Sequence, residues 1–419
     1  MSALSSRTEP VSSPAPEPVP WLAIVGLGED GRDGMAPAAL RALDEAELVV
    51  GGARHLALVA PLRATTLVWP SPMATAYAEI VRQRGRRVCV LATGDPFHYG
   101  VGADLAKLFA PEEWVCFPQA SAFSLAAARL GWSLPDCALV SVHGRELERI
   151  IPHLQPGARI IALSSNGETP EKLASLLVER GLGDSTITVL ESMGGPRERV
   201  RRSGASDFAM RDIHTLNTAT IEVVAAPDAR VVTLAPGLDD AWFENDGQLT
   251  KAEIRAITLG ALAPCAGERL WDIGAGAGSI AIEWCLRHPR NSALAVEERP
   301  DRAERSRSNA RELGAPDRVE VIVGRAPEAL HGLAPPDAVF IGGGASDPGV
   351  FEAAFAALRT GGRLVVNAVT IETESRLGEL HGRHGGAMRR IALSRLEPVG
   401  NMHGWRAAMP VTQWVVVKP

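Results

Sequence analysis

The 419-residue sequence predicts two different α/β domains joined end to end. Three observations carry that prediction. Short apolar runs ending in glycine alternate with helical stretches, first from Trp21 and again beyond Leu249. Such alternation implies largely parallel sheets covered by helices on both faces. Between the two series, residues 225–248 (AAPDARVVTLAPGLDDAWFENDGQ) change character, with two Pro and several Asp, as a domain join does. No convincing repeat relates the halves, so they read as two folds and not as a duplication.

Bulk properties set the frame. The chain is 46% hydrophobic and 22% charged, as soluble globular proteins are. Each half is long enough to bury a core. A formal net charge of −6 argues against a general nucleic-acid binder. Cys89, Cys116, Cys137, Cys265 and Cys285 form no C-x-x-C pair and read as small buried hydrophobes in a reducing compartment. No apolar run reaches the roughly 18 residues of a membrane span, so no membrane partner is expected. Residues 1–19 are rich in Ser, Pro and Glu and lack a basic start with an apolar core. They read as a disordered tail and not as a secretory signal, which leaves the cytoplasm as the default location. The histidines lack H-x-x-x-H spacing, so no metal site is expected.

The first domain is expected over residues 20–230. WLAIVGLG reads as a buried strand, DGRDG as a turn, and APAALRALDEAELVV as helical, with Asp33 or Gly34 as cap and Pro37 near the first turn. RRVCVLATG and ARIIALSS read as strands. ASAFSLAAARLG, stopped by Gly131, and TPEKLASLLVERG read as helices. The second domain is expected over residues 241–419. LTKAEIRAITLGAL has a Thr250/Glu253 capping box, with Ile254, Ile257, Ala261 and Leu262 on one face. Strands ERLWDIG, ALAVE, RVEVIVG, DAVFIGG and RLVVNAV follow, interleaved with helices, and AMRRIALSRLEPV and MPVTQWVVVKP close the chain as strands.

The sharpest motif is Trp271-Asp272-Ile273-Gly274-Ala275-Gly276-Ala277-Gly278-Ser279, between a strand and a helix. Glycines let the backbone approach a ligand closely, and free N–H groups at the helix start attract an anionic group. Glu297 ends the next strand, 19 positions beyond Gly278, where a carboxylate can accept ribose hydroxyls. A dinucleotide, an adenosyl cofactor or a purely structural turn all remain open to such a loop. Two details favour S-adenosylmethionine. Asp272 beside the glycines suits an ammonium or sulfonium and would repel a pyrophosphate. The spacing is G-x-G-x-G and not G-x-G-x-x-G. Asn367, ending RLVVN, either faces the same cleft or is a satisfied turn residue. The glycine-ended strand DAVFIGGG lacks an Asn/Asp-Pro-Pro-aromatic run, which makes a carbon acceptor easier to accept than an exocyclic amine.

In the first domain, Gly26-Leu27-Gly28-Glu29-Asp30-Gly31 is a glycine loop after a strand. Gly94-Asp95-Pro96-Phe97-His98-Tyr99-Gly100 follows another, which places Asp95 where α/β sheets bind ligands. Gly51-Gly52-Ala53-Arg54-His55 follows a third. Ser121 either caps the helix after it or contacts a cofactor.

Taken together, GLGEDG, GGARHL, ATGDPFHYG, ASAFSLAAARLG, SVHGRE and SSNGETPEKL resemble the tetrapyrrole methylase family, close to its C5-methylating members in corrin biosynthesis. One departure is the first loop, GLGEDG, where many members have G-x-G-P-G-D. LTKAEIRAITLGAL, LWDIGAGAGSIAIEW, AVEERP, DAVFIGGG and GGRLVVNAVTIET resemble the C15-methylating, decarboxylating enzymes of the same pathway. The resemblance spans about residues 20–419. It implies a tetrapyrrole methylase fold followed by a Rossmann-like, doubly wound methyltransferase domain. It also implies a small-molecule tetrapyrrole substrate, two S-adenosylmethionine sites, one per domain, and a homo-oligomer. Asp272, Gly274, Gly276, Gly278 and Glu297 would hold one cofactor; Gly28, Gly94, Asp95, His98 and Ser121 the other.

The implied chemistry is two methyl transfers to ring carbons and loss of CO2 from an acetate side chain. The macrocycle is itself the nucleophile and the electron sink, and no Ser/His/Asp or Cys/His set is convincing. His331, His381, His384 and His403 are candidate proton donors at best, more naturally surface residues. Arg82, Arg84, Arg86 and Arg87 form one run and Arg197, Arg199, Arg201 and Arg202 another. The second, after Gly194-Gly195-Pro196, is the candidate for substrate carboxylates, against the plainer reading of a solvated face. Three other functions compete: an RNA methyltransferase, a nicotinamide oxidoreductase and a non-catalytic tetrapyrrole carrier. RNA binding, NADH binding, or ligand binding without turnover would separate them.

Overall fold

The computed structural model describes residues 20–70 and 72–419; the tail expected over 1–19 lies outside the described residues. The chain forms two compact units. One comprises the described residues up to His143, Arg159–Ala174 and Thr186–Glu222; the other comprises Gly144–Ala158, Ser175–Ser185 and Val223–Pro419.

The first unit opens with β1 (Leu22–Leu27), α1 (Pro37–Asp44), β2 (Leu48–Gly51), α2 (Ala53–Leu58), β3 (Thr65–Val68), α3 (Ala74–Arg82), β4 (Val88–Thr93), α4 (Gly102–Leu105), β5 (Trp114–Phe117) and α5 (Ala122–Leu130). The strands pair in the order β3-β2-β4-β1-β5, all parallel. Because side chains alternate along a strand, β1 feeds two cores. Leu22 and Ile24 pack with Val50, Ile80 and Val90, whereas Ala23, Val25 and Leu27 pack with Leu43, Val49 and Leu91. Burial on both faces explains why β1 reads as an unbroken apolar run.

Then come β6 (Cys137–Ser141), β7 (Arg159–Leu163), α6 (Thr169–Glu179), β8 (Thr186–Glu191), β9 (Arg199–Gly204) and β10 (Asn217–Glu222). Their sheet runs β6-β7-β10-β8-β9. Only β6 and β7 pair in parallel; β10 is antiparallel to β7 and β8, and β9 to β8. The expectation of a largely parallel sheet therefore holds for the first sheet and fails for the second. The failure follows from β8, β9 and β10, which join without helices between them and so can reverse direction.

α1 also differs from expectation. Its cap is Ala36, with Pro37 in the first turn, while Asp33 and Gly34 sit in a separate 3-10 turn, and Leu48-Val49-Val50 leave the helix for β2. Gly131 closes α5 in the left-handed region, φ +69°, as expected.

The second unit holds α7 (Ala252–Leu262), β11 (Arg269–Ile273), α8 (Ser279–Arg287), β12 (Ser292–Glu297), α9 (Pro300–Glu312), β13 (Val319–Val323), β14 (Ala338–Ile341), α10 (Val350–Ala357), β15 (Arg363–Ala368), α11 (Ile371–His384), β16 (Ala387–Ile391), β17 (Ser394–Val399), β18 (Met402–Ala407) and β19 (Val411–Val417). The main sheet runs β13-β12-β11-β14-β15-β19-β16, while β17 and β18 form a hairpin of their own. The five strands from β13 to β15 are parallel; β19 and β16 are added antiparallel. Strand order reverses between β11 and β14, which opens a crevice at their carboxyl ends.

The Thr250/Glu253 capping box does not form. Lys251 is the cap of α7, without a side-chain bond, and Glu253 pairs with Arg395 instead. The buried face of α7 is Ile254, Arg255, Thr258, Leu259 and Leu262, with Ile257 only half-buried.

Candidate functional site

In the second unit the glycine loop lies at the reversal point. Asp272, the penultimate residue of β11, is 1% exposed. Its Oδ2 accepts the Ala281 N–H at 3.0 Å, in the first turns of α8. Its Oδ1 is buried without a partner. Burial pushes its pKa up to about 7, the Ala281 N–H opposes the rise, and the Glu297 charge adds to it.

Gly274, Gly276 and Gly278 all have positive φ, at +73°, +57° and +76°. Their surroundings differ. A Cβ on Gly274 would meet Gly343 N at 2.8 Å, and one on Gly278 would meet Ser306 Oγ at 2.1 Å. A Cβ on Gly276 would find nothing nearer than Gln248 O at 3.9 Å. The outer two glycines thus serve packing as well as conformation, and Gly276 leaves open space. Glu297, at the end of β12, accepts the Gly276 N–H at 2.8 Å and the Arg299 N–H at 3.0 Å. Each of its oxygens keeps a further lone pair for a ligand.

These parts meet in a cavity of about 900 Å³. Asp272, Gly274, Gly276 and Glu297 line it, whereas Gly278 stands behind it against Ser306. Such a volume lies at the upper end of small-molecule sites, roughly 300–1,000 Å³, and leaves room for two bound molecules. Lys251, Arg302, Arg325 and Arg395 also line it, each paired with an acid: Asp240, Asp246, Asp347 and Glu253. Asn367 lines it too, yet its side chain is engaged: it donates to Thr258 Oγ1 at 2.9 Å and accepts from Gln413 Nε2 at 3.0 Å. Its place in β15 rules out the turn reading.

Sequence reasoning missed Arg255. It is fully buried beside fully buried Glu283, with Nε to Oε1 at 2.8 Å, and Nη1 reaches Asp240 Oδ1 at 2.7 Å. Glu283 also accepts the Gly237 and Leu238 N–H groups at 2.6 and 3.1 Å. This cluster ties the segment before α7, and with it Gln248 to Lys251 of the cavity wall. A charged residue within the apolar run AEIRAITLGAL was the available signal.

In the first unit, β1, β4 and the segment before α5 converge. A Cβ on Gly26 would meet Gly94 O at 2.0 Å, and one on Gly94 would meet Ala120 O at 3.0 Å. Gly28 and Gly94 line a cavity of about 50 Å³ with Glu29, Arg54, Thr93 and Asn217. That is a fraction of a cofactor-sized site. Asn217 is buried, and its Oδ1 has no partner. Asp95, His98 and Ser121 do not line this cavity. Asp95 Oδ1 accepts the Phe97 N–H at 2.8 Å, and the His98 ring stacks on Phe123 at 4.5 Å. Ser121 caps α5, its Oγ accepting the Ser124 N–H at 3.2 Å.

The arginine runs are largely neutralised by acids. Arg82, Arg84, Arg86 and Arg87 pair with Glu79, Glu113, Glu47 and Glu45. Arg199 and Arg201 share the buried Glu191, and Arg202 pairs with Glu222. Arg199 and Arg201 thus hold β9 to β8, and neither lines either cavity, which favours the structural reading over substrate contact. His331, His381, His384 and His403 are exposed, and none lines the large cavity, which removes them as proton donors there.

Two family models match different parts of the chain. Residues 22–209 match the family described as tetrapyrrole (corrin/porphyrin) methylases, and residues 241–418 match the precorrin methyltransferase domain. The precorrin-6Y C(5,15)-methyltransferase (decarboxylating) of a Sinorhizobium species is 52% identical over 94% of this chain and 96% of its own. The cobalt-precorrin-7 C(5)-methyltransferase of Salmonella typhimurium is 32% identical over 43% of this chain and 88% of its own. The probable cobalt-precorrin-6B C(15)-methyltransferase (decarboxylating) of Saccharolobus solfataricus is 34% identical over 33% of this chain and 72% of its own.

Proposed function

The chain belongs to the precorrin-6Y C(5,15)-methyltransferases (decarboxylating), and from that premise we propose how its two units divide the reaction. It is a methyltransferase that acts on precorrin-6Y, methylating C5 and C15 with decarboxylation. In our reading the segment over residues 20–230 methylates C5, and that over 241–419 methylates C15 and removes the C12 acetate carboxyl group, giving precorrin-8X for cobalamin. Each segment binds its own S-adenosylmethionine. The substrate is a free tetrapyrrole, the location is the cytoplasm, and the assembly is a homo-oligomer. Among the described residues no helix is long and apolar enough to cross a membrane.

The observation that carries this reading is the large cavity in which an unpartnered Asp272 oxygen and Glu297 flank the glycine loop. A buried carboxylate oxygen without a donor fits a cationic ligand group. S-adenosylmethionine, when bound, supplies a methyl group activated by a sulfonium. Asp272 would hold its positive end, Glu297 its ribose hydroxyls, and Gly276 the space its backbone leaves open. The attacking group is an electron-rich ring carbon, so the protein contributes no nucleophile. Its residues orient the ring, exclude water and grip side-chain carboxylates, which is where rate is gained in such a transfer. On decarboxylation the bonding electrons pass into the conjugated ring, and a proton then completes the new methyl group.

Mass spectrometry of products made by Asp272→Asn tests the division. The reading expects no methyl group at C15 and no loss of CO2. A variant that still methylates C15 and releases CO2 at the wild-type rate would contradict it.

A further inference from the structure

Two motifs are unused by the reading above: Gly51-Gly52-Ala53-Arg54-His55 after β2, and Arg197 after the Gly194-Gly195-Pro196 turn. The fold of the first unit brings both to one carboxylate. Glu29, in the glycine loop after β1, has a side chain only 8% exposed. Arg54 pairs with its Oε1, and Arg197 Nη2 approaches its Oε2 at 4.0 Å.

Both arginines are held in place. Arg54 Nη2 donates to Thr93 Oγ1 and lies near His55 Nε2, each at 2.9 Å. A guanidinium only donates, so His55 accepts there and its ring is neutral. Burial, and then the Arg54 charge, push the His55 pKa down to about 4. The turn that carries Arg197 is anchored as well. Glu198 takes two bonds from Arg129, both at 2.8 Å, and the Gly194 N–H at 2.6 Å. Gly195 lies so close that a Cβ on it would meet Glu29 Cβ at 2.7 Å.

Two guanidiniums thus face the one carboxylate of Glu29 beside a neutral imidazole, while a second acid, Asp30, lies against Gly28. Glu29 and Arg54 line the small cavity with Gly28 and Gly94. Arg199 and Arg201 each donate also to a backbone carbonyl, of Asp212 and of Arg211, and like Arg197 they do not line the cavity. Arg197, whose side chain is 65% exposed, approaches Glu29 only at 4.0 Å, and its charge also bears on Arg54.

We propose that Arg197 and Arg54 form a carboxylate-binding subsite that grips one side-chain carboxylate of the tetrapyrrole and sets its register over Gly28 and Gly94. This rests on the first unit being the C5 methylation site. Both are positioning residues, so the expected signature is in KM and not in kcat.

The test uses the full chain with Arg197→Glu, following C5 and C15 methylation separately by product mass and labelled-methyl position. Loss of an arginine bond to a charged partner should raise the KM of the C5 step about tenfold or more. The kcat of that step, C15 methylation and CO2 loss should be unchanged. Raising ionic strength should raise the C5 KM of the wild type and not that of the variant. Arg197→Lys should recover most of the loss, and Arg202→Glu, exposed and paired with Glu222, should show none. A wild-type C5 KM in active Arg197→Glu would overturn the subsite alone. A wild-type chain that methylates no carbon of precorrin-6Y would overturn the parent reading and the subsite together.

Discussion

The Glu297 carboxylate accepts the backbone N–H of Gly276 at 2.8 Å, and this bond joins the end of β12 to the glycine loop after β11. One side chain therefore shapes the loop and presents itself to the cavity. Glu297→Ala should lower S-adenosylmethionine affinity by about tenfold or more, because a charged acceptor is worth roughly 1.5–3 kcal/mol. It should also lower the melting temperature, since Gly276 loses its acceptor. Calorimetric titration and thermal unfolding separate the two effects. Unchanged affinity would remove Glu297 from the cofactor site.

Asp272 gives a pH signature. Its folded-state pKa is raised from the usual 3.8 to about 7, so between those values the folded chain holds a proton that the unfolded chain has lost. By linkage, its contribution to stability falls as pH rises through that window and levels off above about 7. A cationic ligand favours the ionised form. Cofactor affinity should therefore rise with pH up to about 7, by at most about tenfold per unit, with a proton released on binding. Asp272→Asn should flatten both profiles. Titration in buffers of different ionisation enthalpy counts the proton.

Gly276 and Gly278 should respond differently to alanine. Gly278→Ala drives a Cβ into Ser306 Oγ and strains φ +76°, so the main loss is stability, on the order of 1–3 kcal/mol or more. Gly276→Ala meets only the strain at φ +57° and points its methyl into open space, so the main loss is cofactor affinity. Urea unfolding and calorimetric titration of both variants check the contrast.

Arg255→Ala should destabilise the second unit by about 3–5 kcal/mol, because it leaves fully buried Glu283 without its counter-charge. Arg255→Met with Glu283→Leu should recover much of that loss. Chemical denaturation of the single and double variants gives the comparison. A single-variant loss under about 1 kcal/mol would show that the pair does not hold the segment before α7.

The sequence made most strands and helices legible because buried parallel strands are continuous apolar runs and their helices carry glycine or proline punctuation. Gly131, Asp272 and the G-x-G-x-G spacing were readable for that reason. The antiparallel β8, β9 and β10 were not, since pairing direction depends on partners far along the chain. α11 was also missed: it presents only Leu377 and Leu380 to the core, too thin a stripe to announce a helix. The large cavity could be anticipated from Asp272 and Glu297, at the carboxyl ends of neighbouring strands. Its far wall could not, because Lys251, Arg325 and Arg395 come from separate loops and strands that only the fold assembles. In the first unit, Asp95, His98 and Ser121 carried a motif-like pattern, yet turn formation, ring stacking and helix capping occupy them. Arg54 and Arg197 gave no sign of sharing Glu29, because 143 positions separate them in the chain.

The most direct measurement is mass spectrometry of precorrin-6Y after incubation with the full chain and S-adenosylmethionine. The account predicts a product that has gained two methyl groups and lost one CO2. An unchanged precorrin-6Y mass, with cofactor binding intact, would contradict it.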